Sequence, residues 1–134
     1  MTTTTTTATT PDYDEIVRVV QLYIDGWKGD VNKFKEAFHE DAWIFFTDAD
    51  GVLHKSLLTD RFEAWAATKK HIVGRVISVT QAGDVASVLL GVDNPADPSD
   101  SWVDIHALLR IDGVWKITNK TATHSSRAAW ATAQ

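Results

Sequence analysis

The chain has no cysteine, a single methionine and only three prolines in 134 residues. Without thiols there is no disulfide framework, no thiolate-bound metal and no cysteine nucleophile. No segment approaches the roughly 20 consecutive apolar residues that span a bilayer, so a helical membrane protein is set aside. Positive charge is also in short supply: 13 Lys plus Arg face 18 Asp plus Glu, for a formal net charge of −5. The basic residues are scattered rather than gathered into a stripe, and a nucleic-acid partner is not expected, because phosphate backbones are bound by clustered cations. There is no Gly-x-Ser-x-Gly elbow and no phosphate-cradling glycine loop. His39, His54, His71, His106 and His124 lack the one- or three-residue spacing of a metal site, so neither a metal nor another cofactor is expected. The first residues show neither the basic start nor the apolar stretch of a secretory signal, and the expected location is cytoplasmic.

What is present is the balance of a globular domain, with 44% hydrophobic and 23% charged residues. Eight of the first ten residues are Thr, too little apolar surface to offset the entropy of ordering them. Residues 1–11 are therefore expected as a disordered tail, 12–127 as one domain and 128–134 as a second tail. Asp12 followed by Glu15 resembles a capping box, and Ile16, Val19, Val20, Tyr23 and Trp27 recur at helical spacing up to a stop at Gly29. Asp30 opens a shorter helix through Val31, Phe34 and Phe38, ending near His39. Trp43–Thr47, the Asp50-Gly51 turn and Val52-Leu53 read as a hairpin. Ser56 or Thr59 is expected to cap a third helix carrying Leu58, Phe62, Trp65 and Ala66 on one side. The remainder alternates as four strands, His71–Thr80, Val85–Asp93, Ser101–Ile111 and Val114–His124, joined by short turns and one Pro-containing loop.

Strands with helices segregated on one side make an α+β layer, here a strongly curved sheet wrapping around three helices. Such a sheet leaves a hollow between its concave face and the helices. The segments Leu22–Gly26, Gly29-Asp30, Ala37–Ala42, Val103–Leu109, Asp112–Ile117 and Asn119-Lys120 occur in an order that resembles the nuclear transport factor 2-like superfamily. In detail they are similar to its putative lumazine-binding branch, relatives of the polyketide cyclase (SnoaL-like) proteins. The resemblance covers about Asp14–His124. It implies a cystatin-like fold, a cone-like curved antiparallel sheet wrapped around three N-terminal helices, which agrees with the element order, and pairing into a homodimer through the outer sheet face. It does not select one activity, since one fold hosts many.

Candidate site residues follow from both readings. Asp104 and His106 share one face of a strand, where a carboxylate can raise and hold an imidazole for acid–base work. The alternation leaves open whether that face or the apolar one of Val103, Ile105, Ala107, Leu109 and Ile111 meets the hollow. Resemblance to ketosteroid isomerase-like members implies a hydrogen-bonding role for Tyr23 on the first helix, but the strand Trp43–Thr47 lacks the acid those isomerases use as base. Trp27, Phe46, Phe62, Trp65 and Trp102 are candidates for the wall of an apolar cavity. On the alternation of Trp115 and Ile117, Asn119 would offer its amide to a ligand and Lys120 would point to the other face. The expected function is the binding of a small apolar or aromatic molecule by Tyr23, Trp27, Phe46, Phe62, Trp65, Trp102, His106 and Asn119. The alternatives are a cofactor-independent isomerase, dehydratase or cyclase using His106, Asp104 and Tyr23, and a dimerisation or association module.

Overall fold

The computed structural model describes residues 10–128. The expected tails at residues 1–11 and 128–134 lie outside the described residues apart from Thr10, Pro11 and Ala128. Helix α1, Tyr13–Gly26, buries Ile16, Val19, Val20 and Tyr23 as its spacing predicts, and Leu22 and Ile24 with them. Asp12 does not cap it. Its Oδ2 accepts instead from Arg110 Nη1 at 2.6 Å and Gln81 Nε2 at 2.8 Å, and the same guanidinium reaches Asp84 Oδ1 at 2.6 Å. A charged partner outcompetes the neutral amides of the first helical turn for that carboxylate. Glu15 turns to Arg18 at 2.9 Å. The helix start is thereby fastened to the strand meander rather than closed on itself.

Gly29 reverses the chain at φ +123°, and Asp30 caps α2, Val31–Ala37, by accepting from Asn32 N at 3.0 Å. The sequence predicts helix through His39, but Phe38 is already extended and opens β1, Phe38–Thr47. Phe38 still reaches the core, now as a strand residue. Asp48 accepts from the amides of Asp50 and Val52 in the turn to β2, Leu53–Leu57. A 3₁₀ turn at Leu58–Asp60 leads to α3, Phe62–Ala67. Neither Ser56 nor Thr59 caps α3; Ser56 Oγ instead accepts from Arg61 Nε at 2.8 Å.

Strands β3, Val73–Ala82, β4, Val85–Asp93, β5, Trp102–Ile111, and β6, Val114–His124, form the expected meander. All six strands make one sheet in the order β2-β1-β6-β5-β4-β3. Its neighbours are antiparallel except for β1 and β6, which run parallel. The register slips between Phe38 and Trp43, between Val76 and Ser78, and between Ala107 and Leu108. Each irregularity bends a strand and adds twist, which is how a sheet acquires a concave face. The core lies between that face and the helices, with Ile44, Val88, Leu90, Leu108, Trp115 and Ile117 from the sheet meeting Ile16, Val20, Phe34 and Phe62.

Candidate ligand cavity and its buried charge cluster

Between α1, α3 and the concave face lies a cavity of about 310 Å³ bordered by Tyr23, Trp27, Ile44, Phe46, Trp65, Ile72, Val92, Trp102 and Lys120. Trp27 and Trp65 stack at 4.6 Å with planes 20° apart. Trp102 stands edge-on to Phe46 at 5.4 Å. At the rim, Lys70 pairs with Asp100 at 2.6 Å and covers the Trp27 ring. Asp100 also accepts from Trp102 Nε1 and so orients that indole. The cavity is apolar on its walls and polar at two places, this rim and the Lys120 end.

The β5 face that meets the helices is the mixed one. Asp104, His106 and Leu108 are buried, whereas Ile105 is 51% exposed and Leu109 37% on the outer side. His106 Nε2 lies 3.1 Å from Asp104 Oδ2, and Lys120 Nζ lies 3.5 Å from the same oxygen. Tyr23 lies edge-on to the imidazole at 5.0 Å, and the Lys120 ammonium sits over the rings of Tyr23 at 5.5 Å and Trp65 at 5.6 Å. Burial would raise the Asp104 pKa, but the Lys120 charge and the His106 hydrogen bond outweigh it and hold the carboxyl below its usual value. Burial lowers the His106 pKa, with Asp104 opposing only in part. Burial likewise lowers that of Lys120 and, helped by Asp104, raises that of the Tyr23 hydroxyl. A carboxylate only accepts, so His106 must carry its proton on Nε2, leaving Nδ1 a bare acceptor. No well-formed hydrogen bond reaches His106 Nδ1, Asp104 Oδ1 or, on the cavity wall, Trp27 Nε1, though the Tyr23 hydroxyl interacts with both Asp104 and Trp27.

Of the residues singled out in the sequence, Tyr23, Trp27, Phe46, Trp65 and Trp102 border the cavity. Phe62 does not: it stacks on Phe34 at 5.3 Å in the core and borders a separate hollow of about 270 Å³ beside Lys116. His106 and Asp104 are fully buried and stand outside the lining, touching it through Tyr23 and Lys120. Asn119 lies elsewhere, donating to the Trp43 carbonyl at 3.1 Å. The inward residue is Lys120, and a slip in register explains the exchange. Ala107 pairs with Asn119 but Leu108 with Ile117, so Thr118 is an extra residue that reverses the alternation beyond it. Nothing in the composition of β6 singles out Lys120, since the strand also carries Lys116, Asn119 and His124. Among the described residues no group of three or more His, Asp or Glu is placed to hold a metal ion, and no helix is long and apolar enough to cross a membrane.

The family model described as putative lumazine-binding matches residues 11–122. A comparison with curated proteins finds no match. Among solved structures, an NTF2-like protein of unknown function from Shewanella baltica OS155 is 24% identical, with a TM-score of 0.73 over 86% of this chain and 96% of that one. An NTF2-like protein of unknown function from Methylobacillus flagellatus KT is also 24% identical, with a TM-score of 0.73 over 87% and 94%. A third, from Silicibacter pomeroyi DSS-3, is 20% identical with a TM-score of 0.70 over 86% and 98%. These likenesses show an NTF2-like fold, and a cystatin-like domain from Nostoc punctiforme PCC 73102 shares it at a TM-score of 0.65 with 20% identity over 87% of this chain and 79% of that one.

Proposed function

The chain belongs to the putative lumazine-binding family, and from that premise we propose that it binds a small, flat, largely apolar molecule in the cavity of Trp27, Trp65, Phe46 and Trp102. The family's description names a bicyclic pteridine, and a hollow of about 310 Å³ suits one or two fused rings. The observation that carries the reading is the pairing of indole walls with donors at the hollow: Trp27 Nε1 makes no well-formed hydrogen bond, and the Lys120 ammonium, paired with Asp104 at 3.5 Å, has three donors and spends only one on that carboxylate. A carbonyl oxygen or ring nitrogen would satisfy both. Direct acid–base catalysis by His106 is disfavoured by its placement, because the imidazole is fully buried outside the lining.

A thermal-shift panel of pterin-like, flavin-like and polyketide-like compounds tests this. A ligand at a hundred times its dissociation constant adds about 2.7 kcal/mol to the native state, and Trp65→Ala is expected to remove most of that shift while leaving a folded protein. No shift with any member would overturn the binding assignment.

The outer sheet face supports pairing with a second copy. Trp43, Phe45, Ile105 and Leu109 are exposed there, an apolar patch of the sort that isologous dimers cover. Light scattering is expected to give twice the chain mass and Ile105→Arg to return the single chain. A monomeric wild type at high concentration would refute it.

A further inference from the structure

Lys120 is the one buried side chain among the eight lysines of the chain, and its amine ends on the wall of the aromatic cavity. We propose that Lys120 is a nucleophile that condenses with an aromatic aldehyde or ketone held in this cavity, forming an imine. The proposal rests on the cavity being a binding site and adds a reaction to it.

Three features of the geometry favour this chemistry. The amine sits over ring faces of Tyr23 and Trp65 at 5.5 and 5.6 Å, which keep it against the aromatic wall of the cavity. Asp104 Oδ2 at 3.5 Å is placed to take a proton from the ammonium. The same oxygen is held by His106 Nε2 at 3.1 Å. Desolvation favours the free amine, as in other nucleophilic lysines, and burial shifts Lys120 in that direction. The groups facing Nζ are Asp104 and His106 from β5 and Tyr23 from α1. Lys70 and Asp100 at the rim are paired with each other.

The balance is simple. One proton passes from the ammonium to Asp104. The freed nitrogen lone pair forms the C–N bond as the carbonyl π pair moves to oxygen. The two protons remaining on nitrogen leave with that oxygen as water, and the proton on Asp104 returns to the imine nitrogen. Ammonium plus carbonyl becomes protonated imine plus water, with no oxidant or reductant. Lys120 is the catalytic residue, whereas Asp104 acts as proton acceptor and His106 positions it.

The experiment treats the wild-type protein with 2-naphthaldehyde and cyanoborohydride, which fixes an imine as a secondary amine, and maps the adduct by peptide mass. Labelling of Lys120 is expected to exceed that of any other lysine by about tenfold. Lys120→Arg, which keeps the charge beside Asp104, is expected to lose that adduct. Lys120 unlabelled, or labelled no more than the exposed lysines, would overturn the proposal, and so would equal labelling of the Arg variant. The alcohol analogue 2-naphthalenemethanol cannot condense. A melting-temperature rise with it, without an adduct, would retain the binding site and reject the chemistry; the absence of both rise and adduct would overturn the proposal together with the binding of this ring system.

Discussion

Asp104→Ala is expected to cost about 3–5 kcal/mol of folding free energy, the usual consequence of removing one partner from a buried charge cluster. The carboxylate is the common acceptor of His106 and Lys120, and all three residues are at most 5% exposed. Its loss leaves an ammonium facing aromatic rings with no counter-ion. Urea denaturation at neutral pH measures the effect, and a loss below about 1 kcal/mol would contradict the account. Restoring electrical balance is the control: Asp104→Leu combined with Lys120→Met is expected to recover most of the stability, because an apolar replacement of a buried pair is often neutral or better.

The same cluster dictates how stability responds to acid. His106 has a folded pKa below its usual 6.5, so the unfolded chain takes up its proton first. Its contribution is complete above pH 6.5 and is lost as the pH falls through the folded value. Asp104 has a folded pKa below its usual 3.8, so a second loss follows below that pH. Wild-type stability is thus expected to decline on acidification from neutrality, beginning before carboxylates titrate. His106→Gln should flatten the first window, and an unchanged profile in that variant would assign the early loss elsewhere.

Phe34→Ala is the second large effect, at about 3–5 kcal/mol. Phe34 is fully buried and its ring meets Tyr23, Trp27, Phe62 and Trp65 at 5.3–6.3 Å. It lies so close to α1 that a Cβ on Gly26 would come within 2.6 Å of its ring carbons, which is why α1 carries no side chain there. Truncation opens a void behind both Tyr23 and the stacked indoles. A lower denaturation midpoint is therefore expected together with weaker ligand-induced thermal shifts. Phe34→Leu, which keeps more of the volume, should recover part of both. A stable Phe34→Ala protein with full ligand response would mean that the aromatic wall does not depend on the layer beneath it.

Elements repeated by spacing were legible from the sequence. The buried stripe of α1, the Asp30 cap, the glycine turns and the four C-terminal strands all depend on local pattern. The aromatic wall was legible in most of its members, since Trp27, Phe46, Trp65 and Trp102 are large residues on elements that border the hollow. Decisions made by tertiary partners were hidden. Asp12 carries a capping signature but is taken by Arg110, 98 residues away. Phe38 continues a helical rhythm yet begins a strand because β6 offers it a backbone partner at Ile117. Lys120 and Asn119 exchanged faces because alternation fixes side only while the ladder is unbroken, and the extra residue at Thr118 cannot be seen without the partner strand.

The hollow is assembled from elements far apart in the sequence. Tyr23 and Trp27 come from α1, whereas Trp102 and Lys120 come from the last two strands. A nascent chain still missing β6 has the tyrosine without the amine and β1 without its parallel neighbour. Closing such long loops carries an entropic cost that local helix formation does not meet. The hollow is consequently complete only after β6 has been synthesised and has joined the sheet, and a shorter nascent chain lacks the full enclosure.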